Sequence, residues 1–299
     1  MSTKTAIEWT DHTFNPWWGC SRVSAGCLHC YAETLGHRFG VEWGEAAARR
    51  PASETQWDQP RKWNEAAKRA GRRARVFCAS MTDVFDTAAP ADALGRLWDM
   101  IRFTPWLEWQ LLTKRPENIR AALPADWGHG YRNVQLGVSV EHQAAADTRI
   151  PLLMEIPART RFLSCEPLLG TVDLSNWLNR CTYCDKSDIL AQGGRHQGCG
   201  LSLGLDWIIV GGESGHGARA MLTAWARGLR DQAAAAGVAF FFKQWGEWGP
   251  YNCSRDKAEE LAKLLNPKTF DFPVRHGRRA AGRLLDGCEH NEFPEGARA

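Results

Sequence analysis

Short apolar runs that alternate with helical stretches are the feature of this sequence that most constrains its fold. From residue 75 onward the runs are Arg75–Ser80, Trp109–Thr113, Val134–Ser139, Arg161–Glu166, Asp206–Gly211 and Val238–Lys243. Runs that are apolar at almost every position are typical of strands buried on both faces. The amphipathic stretches between them, Asp92–Phe103, His142–Leu153 and Thr223–Ala236, are predicted helices. With Ala6–Thr10 as a first strand, about seven β-α units follow one another, which predicts a parallel sheet with right-handed crossovers.

The predicted fold is an α/β fold, a (β/α) barrel of the TIM type, partial or complete. A chain of 299 residues is long enough for one such barrel, since about 250 residues are usual. We expect the barrel domain to take in residues 1–250 and to contain a small insertion at residues 179–204. Residues 251–299 are rich in Gly, Pro and Arg and are predicted to form a C-terminal extension that covers the barrel.

Three cysteines follow the first predicted strand. Cys20, Cys27 and Cys30 have the spacing C-x6-C-x2-C. Thiolates select zinc, copper(I) or iron–sulfur clusters, and three of them leave one metal position open to an exogenous ligand. A metal site with an open position suits catalysis better than a structural role. The alternative is half of a zinc finger, with His29 or His37 as the remaining ligand.

The insertion carries a second group of metal-ligand residues. Cys181, Cys184, His196 and Cys199 have the spacing C-x2-C-x11-H-x2-C, which is close to zinc-knuckle patterns. Four protein ligands leave no open position, so we interpret this group as a structural zinc site. A second iron–sulfur cluster and free thiols are the other readings. Cys78 and Cys165 lie on predicted strands and are expected to be buried thiols.

Polar side chains follow nearly every predicted strand. These residues include Met81–Asp83, Lys114–Pro116, Val140–Glu141, Glu166–Pro167, Gly212–Ser214 and Gln244–Trp245. In parallel α/β folds the C-terminal ends of the strands meet at one edge, and ligands bind there. The cysteine loop follows the first strand, so the sequence predicts that the loop and these polar residues share one rim.

Charge and hydropathy exclude some classes of function. The net charge of +3 offers no bulk electrostatic argument for binding nucleic acid or a membrane surface. The sequence contains neither an apolar N-terminal leader nor a run of the ~20 apolar residues that a spanning helix needs. We therefore expect a cytoplasmic protein, in which ten cysteines serve as ligands or buried thiols rather than as disulfides.

Ordered blocks of the sequence resemble the phage Gp37/Gp68-like family, a domain of unknown function. The matching blocks are Phe14–Cys20, Gly26–Glu33, Ser80–Phe85, Leu111–Pro116, Leu136–Glu141, Phe162–Gly170, Val210–Gly215, Phe241–Gly246 and Gly282–Gly287. That family is in turn similar to radical S-adenosylmethionine (SAM) enzymes. These enzymes hold a [4Fe–4S] cluster on three cysteines in the loop after the first strand of a partial or full β/α barrel.

The resemblance implies a set of roles. Cys20, Cys27 and Cys30 would hold the cluster, and the enzyme would cleave SAM to a 5′-deoxyadenosyl radical that modifies a substrate. The implied catalytic residues are Lys114, Glu141, Glu166 and Lys243, and the implied SAM-binding residues are His29, Tyr31, Ser80, Thr82, Asp83, Ser139, Glu213 and Gln244. An electron donor is implied as a partner. A nucleobase or nucleic acid is the first candidate substrate, from Lys114–Arg115 and the Arg61–Trp63 patch, and a peptide or partner protein is the second.

This chain departs from the radical SAM pattern at two places. The first cysteine gap holds six residues, whereas three are usual, although His29 keeps the position of the aromatic residue before the third cysteine. The Gly-Gly-Glu motif usually follows the second strand, but Gly211–Glu213 follows the sixth run here. The amino-group role therefore passes more naturally to Ser80, Thr82 or Asp83 than to Glu213.

Two other functions are weighed against the radical SAM reading. A non-enzymatic adaptor, with zinc at both cysteine groups, would bind nucleic acid or a partner protein. A metal-dependent hydrolase on a barrel is disfavoured, because the predicted strand ends lack the histidines of such sites.

Overall fold

The computed structural model of the protein describes residues 5–178, 204–251 and 273–294. Cys181, Cys184, His196 and Cys199 lie outside these ranges, so the zinc site in the insertion stays a prediction. The same holds for most of the predicted C-terminal extension and for the division of the chain at residue 250. Helices and strands are numbered here along the described residues.

Seven strands form one all-parallel sheet. They are β1 (His12–Phe14), β4 (Ala74–Cys78), β5 (Leu107–Thr113), β6 (Val134–Ser139), β7 (Arg161–Cys165), β8 (Trp207–Gly211) and β9 (Ala239–Gln244). Their order in the sheet is their order in the chain. Consecutive order with parallel pairing is the arrangement of a (β/α) barrel. Because no pairing joins β9 back to β1 among the described residues, the structure is a partial barrel. The predictions for β4 to β9 are confirmed to within two residues at each end.

Helices connect the strands. They are α1 (Tyr31–Arg38), α2 (Glu54–Trp57), α3 (Gln59–Arg69), α4 (Ala93–Phe103), α5 (Ile119–Ala122), α6 (Gln143–Met154), α7 (Thr223–Ala236) and α8 (Arg278–Ala281). Two small antiparallel pairs complete the described elements: β2 (Trp17–Trp18) with β3 (Arg50–Pro51), and β10 (Trp248–Pro250) with β11 (Pro273–Arg275). The three predicted amphipathic helices are confirmed as α4, α6 and α7. α7 ends before Gly237, whose φ of +65° suits the left-handed end of a helix.

The first predicted strand is wrong. Ala6–Thr10 has no strand pairing; the amide of Thr10 bonds the carbonyl of Ile7 in a turn, and β1 begins at His12. The turn directs Trp9 into the hollow of the sheet, where the ring is 2% exposed. Burying that large ring explains the apolar character of the segment without a strand.

Contacts of Trp9 show that the sheet curls. Its ring centroid lies 4.6 Å from that of Phe77 on β4, 6.2 Å from Phe162 on β7 and 6.0 Å from Trp207 on β8. The second, fifth and sixth strands of the sheet can contact one ring only when the sheet is strongly curved. The inner hollow is therefore filled by aromatic side chains, as barrel interiors are filled by packed layers.

The main core lies between the outer face of the sheet and the helices. It includes Trp109 and Leu111 of β5, Leu97 of α4 and Ile150 of α6. Alternation along each strand sends one set of side chains to this core and the other into the hollow. Cys78 and Cys165 are both fully buried in the outer core, as the sequence predicted, and burial raises the pKa of each thiol.

The C-terminal residues run along the last strand of the sheet. The amide of Phe242 donates to the carbonyl of His290 (3.0 Å), and the amide of Glu292 donates to the carbonyl of Phe240 (3.2 Å). These bonds satisfy backbone groups that an edge strand would otherwise expose. The described part of the chain contains no helix with the length and apolarity needed to cross a bilayer.

Candidate functional site

One cavity of about 400 Å³ opens at the C-terminal edge of the sheet. Its size falls in the range of small-molecule sites, roughly 300–1,000 Å³. The residues that line it include Cys20, Cys27, His29, Cys30, Tyr31, Ser80, Thr82, Asp83, Lys114, Ser139, Glu166, Glu213, Lys243 and Gln244. Of the described residues to which the radical SAM resemblance assigns a catalytic, SAM-binding or cluster-binding role, all line this cavity except Glu141. Their individual roles stay predictions.

The three cysteines are carried by a loop built from short local elements. Gly19 begins it with φ +105°, a conformation that favours glycine, and its amide bonds the carbonyl of Met81 beyond β4. Cys27 ends a single 3₁₀ turn, and Cys30 is the N-cap residue of α1. The loop therefore bends twice and returns all three cysteines to the same cavity.

The thiols are poorly solvated. Burial raises the pKa of Cys20 to about 11, although the charge of Arg115 opposes the increase, and burial also raises the pKa of Cys30. In the described residues, no three His, Cys, Asp or Glu side chains lie close enough to share one metal ion. A cluster binds each thiolate through a different iron atom, so its ligands stand farther apart than those of one ion. The residues that a cluster would need, three cysteines, all line this one cavity.

Arg115 fastens the first cysteine to the sheet. Its guanidinium donates to the carbonyl of Ser21 (3.0 Å), to the hydroxyl of Ser21 (2.8 Å) and to the sulfur of Cys20 (3.5 Å). Asp83 accepts from the same guanidinium (3.2 Å) and from the hydroxyl of Thr113 (2.7 Å). Because the polar atoms of Arg115 and Asp83 are satisfied within the protein, both residues shape the site more than they contact a ligand.

Glu141 holds the middle of the cysteine loop through a hydrogen bond with Ser24. It is completely buried, and its carboxylate accepts from the Lys114 ammonium (3.1 Å), the Arg149 guanidinium (2.8 Å) and the Ser24 hydroxyl (3.1 Å). Although burial favours the neutral acid, the charges of Lys114 and Arg149 lower the pKa of Glu141 to about 2. Gly26 leaves room for the carboxylate, since a Cβ there would lie 2.3 Å from it.

The position of Glu141 differs from the sequence prediction. Glu141, which was predicted to be catalytic, does not line the cavity. It lies just beyond β6, and its side chain is directed behind the cysteine loop, where it accepts from Ser24, rather than into the hollow. Lys114, also predicted to be catalytic, lines the cavity, and its ammonium is paired with Glu141. The Glu141 charge outweighs the effect of burial and raises the pKa of Lys114 above its usual value, so the ammonium stays charged.

Glu213 orients His29. Its carboxylate accepts from the backbone amide (2.8 Å), Nε (2.8 Å) and Nη2 (2.6 Å) of Arg219, and it lies 3.2 Å from Nδ1 of His29. Burial opposes ionisation, but the Arg219 hydrogen bonds lower the pKa of Glu213 below its usual value. With its oxygens engaged in this way, Glu213 holds the His29 ring against the cavity, which fits a positioning role better than contact with a ligand amino group.

The second glycine of the Gly-Gly-Glu motif, Gly212, and Gly246 beyond β9 have a packing role. A Cβ at Gly212 would lie 1.9 Å from the carbonyl oxygen of Trp245, and one at Gly246 would lie 2.1 Å from the carbonyl oxygen of Glu213. The backbones that leave β8 and β9 therefore cross at a distance that only glycine permits. This crossing explains Gly212, whereas a Cβ at Gly211 would lie 3.1 Å from the Glu166 side chain.

A further ion pair, between Glu166 and Lys243, connects the end of β7 to β9. Glu166 accepts from Nζ of Lys243 at 2.8 and 2.9 Å and from the Gln244 amide (3.0 Å). Gln244 in turn donates to Ser214 (3.1 Å) and accepts from Nε of Arg278 (2.6 Å) on α8. This chain of hydrogen bonds connects the C-terminal residues to the cavity wall.

The remaining predicted SAM-binding residues also line the cavity. They are Tyr31, Ser80, Thr82 and Ser139. The hydroxyl of Tyr31 donates to the carbonyl of Ser80 (2.9 Å), the Asn15 amide donates to the Ser80 hydroxyl (3.1 Å), and the Thr82 hydroxyl donates to the carbonyl of Gly19 (2.7 Å). Ser139 also lines the wall. The loops after β1 and β4 are therefore held together around the cysteine loop.

Sequence reasoning missed several residues that complete the site. They are Asn15, Ser24, Arg149, Arg219 and Arg278, which contact predicted site residues from neighbouring elements. Arg219 had one available signal, since it follows the Gly-Gly-Glu motif within a glycine-rich loop. The others are ordinary polar residues whose pairing depends on the tertiary fold.

The floor of the cavity is apolar and lies in the hollow of the sheet. Trp9, Phe77 and Leu112 line it below the charged rim. The predicted nucleic-acid contacts lie elsewhere or are already engaged. Arg115 is bound to the cysteine loop, and Trp63 stacks on His12 at the outer face of β1, with ring centroids 4.4 Å apart.

The fold and the cavity define a class: a parallel α/β protein with a ligand-sized cavity at the C-terminal edge of a partial barrel. The chain belongs to the family described as "Protein of unknown function (DUF5131)", whose model matches residues 4–294. No curated protein matches the chain. Membership of the phage Gp37/Gp68-like family stays a prediction.

Among solved structures, the chain has some likeness to a spore photoproduct lyase mutant with bound AdoMet and dinucleoside spore photoproduct. The TM-score is 0.41 with 15% sequence identity, over 56% of this chain and 48% of that chain. The match thus spans about half the length of each protein.

Proposed function

We propose that this protein is a radical-SAM-type enzyme that holds a [4Fe–4S] cluster on Cys20, Cys27 and Cys30. The observation that carries the proposal is that one loop brings all three cysteines to the wall of a single cavity at the C-terminal edge of a parallel sheet. When bound, the cluster would supply the electron that cleaves SAM to methionine and a 5′-deoxyadenosyl radical. The resemblance described above is the source of this assignment.

The chain's own residues would orient the cofactor. Lys114 lines the cavity with a side chain that stays charged, and an ammonium suits the carboxylate of an amino-acid group. His29, held by Glu213, offers a ring that can pack on a planar base. The Glu166–Lys243 pair, on the opposite wall, would orient the polar part of the substrate.

The cavity floor limits the class of substrate. Trp9, Phe77 and Leu112 exclude water and favour an apolar or planar aromatic group. A nucleobase is one such group and remains our candidate. Shielding by these rings would protect a reactive intermediate from solvent.

Anaerobic reconstitution with iron and sulfide tests the proposal. About four irons per chain, a broad visible absorption and release of 5′-deoxyadenosine on reduction with SAM are expected. Replacing Cys20, Cys27 or Cys30 by Ala should abolish iron retention. Cys288→Ala is the matched control, because that cysteine is exposed and outside the loop. Stoichiometric zinc at the three cysteines, with no iron taken up, would instead support the zinc-binding adaptor.

A further inference from the structure

A second groove adjoins the cavity on the outer side of the cysteine loop. It has a volume of about 610 Å³ and is lined by Arg22, Leu28, Tyr31, Leu35, Arg38 and His216, among others. The groove lies between α1 and the loop after β8. We call it the loop groove.

Two large exposed apolar side chains, Leu28 and Tyr31, line the groove. Among the described residues eight large hydrophobic side chains are exposed, and four of them, Val23, Leu28, Tyr31 and Phe39, fall within residues 23–39. Leu28 lies between Cys27 and Cys30 and is 51% exposed. Concentrated exposed apolar side chains mark interaction surfaces on soluble domains.

Charge favours an anionic partner. Arg22 and Arg38 line the groove, and Glu33 is its one carboxylate among the described residues. Arg22 already neutralises Glu33 through two hydrogen bonds of 2.9 and 3.0 Å. Exposed Arg38 therefore leaves the groove with a net positive charge.

We infer that the loop groove docks a small acidic one-electron donor protein, a flavin or iron–sulfur protein. The inference rests on the proposed function, which needs one electron for each SAM cleaved. That electron would leave the donor, which is oxidised by one electron, and reduce the cluster by one. The apolar centre with Arg at its rim has the composition of a protein interface, and nucleic-acid interfaces are much more strongly basic. The groove also touches Cys30, one of the three proposed cluster ligands.

Two variants test the inference, each with a matched control. Arg38→Glu reverses a charge at the groove, and Arg69→Glu reverses an exposed charge at the end of α3, at the opposite edge of the sheet. Leu28→Gln removes an apolar contact, and Phe103→Gln does the same at the end of α4, where the side chain is 76% exposed. The end of α4 precedes β5, so Phe103 also lies at the edge opposite the cavity.

The reconstituted protein is mixed anaerobically with a reduced flavodoxin and, separately, with reduced methyl viologen. Bleaching of the visible absorption measures the rate of reduction. We expect Arg38→Glu to slow reduction by flavodoxin about tenfold at low salt and to flatten its salt dependence. Leu28→Gln should slow it several-fold. Both variants should keep the wild-type rate with methyl viologen, and both controls should keep both rates.

Each remaining outcome is informative. Equal flavodoxin rates for Arg38→Glu and wild type would overturn the inference, and so would binding of a single-stranded oligonucleotide that competes with flavodoxin in the groove. If Leu28→Gln slows both donors, it has disturbed the cluster, and the Arg38→Glu comparison decides alone. Absence of iron after reconstitution would contradict the proposed function. In that case binding of dye-labelled flavodoxin, lost in Arg38→Glu and kept in Arg69→Glu, would still support the docking surface.

Discussion

Two buried carboxyl groups at opposite ends of the sheet have pKa values shifted in opposite directions. Glu141, just beyond β6 at the C-terminal edge, is paired with two cations, and its pKa falls to about 2. Glu108, near the start of β5, lies in the hollow, where burial raises its pKa to about 7 against the opposing effects of Gln135 and Arg75. One oxygen of Glu108 and the side-chain oxygen of Gln110 have no hydrogen-bond partner among the described residues.

The comparison shows that burial alone does not set the charge of a carboxyl group. Both groups are at most 5% exposed, but among the described residues only Glu141 is paired with cations at hydrogen-bond distance. Paired charges are concentrated at the rim that carries the cysteine loop, where each pair also holds a loop in place. At the opposite end, burial raises the pKa of Glu108, which has a hydrogen bond from Gln135 and no ion pair among the described residues. This asymmetry supports the C-terminal rim as the functional end.

Replacing Glu141 should have the largest effect on stability. Glu141→Gln keeps the shape but leaves Lys114 and Arg149 without a charge partner in a buried place, so we expect a loss of about 3–5 kcal/mol in the free energy of unfolding. Urea denaturation measures it. Glu155→Gln, at a side chain 63% exposed, is the control and should change stability by less than about 0.5 kcal/mol. A loss equal to that of the control would show that the ion pairs are not needed.

Replacing Glu108 should have the opposite sign and should depend on pH. In the folded protein the carboxyl keeps its proton up to about pH 7, whereas the unfolded chain releases it near 4.5, so stability falls as pH rises through that window. Each pH unit is worth about 1.4 kcal/mol, so Glu108→Gln should stabilise the protein by roughly 3 kcal/mol at pH 8 and by little at pH 4.

Thermal or urea unfolding of wild type and Glu108→Gln over this pH range provides the test. Glu141 contributes with the reverse sign, because its lowered pKa stabilises the fold above pH 4.5 and that contribution is lost as pH falls towards 2. Glu108→Gln should therefore leave the acid-side loss intact. A gain that is the same at pH 4 and pH 8 would show that ionisation of Glu108 is not its cause.

Substitutions at two glycines distinguish a steric clash with Glu141 from the general effect of replacing glycine by alanine. Gly26→Ala would place a Cβ 2.3 Å from the Glu141 carboxylate, and we expect it to displace the loop and cost about 1–3 kcal/mol. Gly95→Ala in α4 meets nothing within 4 Å and should stabilise the protein by about 0.5–1 kcal/mol. Chemical denaturation measures both, and equal signs would contradict the packing argument.

The smallest effect is expected for an ion pair at the open rim. Arg22 and Glu33 are paired at 2.9 Å, but the Arg22 side chain is 53% exposed. Exposed pairs contribute about 0–1 kcal/mol, so Glu33→Gln should change the free energy of unfolding by less than about 1 kcal/mol, and high salt should remove the difference. A loss as large as that of Glu141→Gln would contradict this expectation for an exposed ion pair.

Much of the architecture could be predicted because strands buried on both faces leave a strong signal. Val134–Ser139 and Thr223–Ala236 were predicted with their observed ends. The error at Ala6–Thr10 has a simple cause: an apolar segment that fills the hollow resembles a strand in composition. Glu141 could not be placed either, because a polar residue at a strand end can face the cavity or pack behind a loop, and its partners Ser24 and Arg149 are distant in the chain.

By itself the sequence determined the order of strands and helices and the edge of the sheet at which Cys20, Cys27 and Cys30 meet the polar strand ends. Local hydrophobic periodicity and the geometry of parallel sheets are enough for that. Only the tertiary structure decided which of those polar groups face the cavity and which charges neutralise one another. These choices depend on distances between side chains far apart in the chain, and the same distances set how strongly each charge is stabilised.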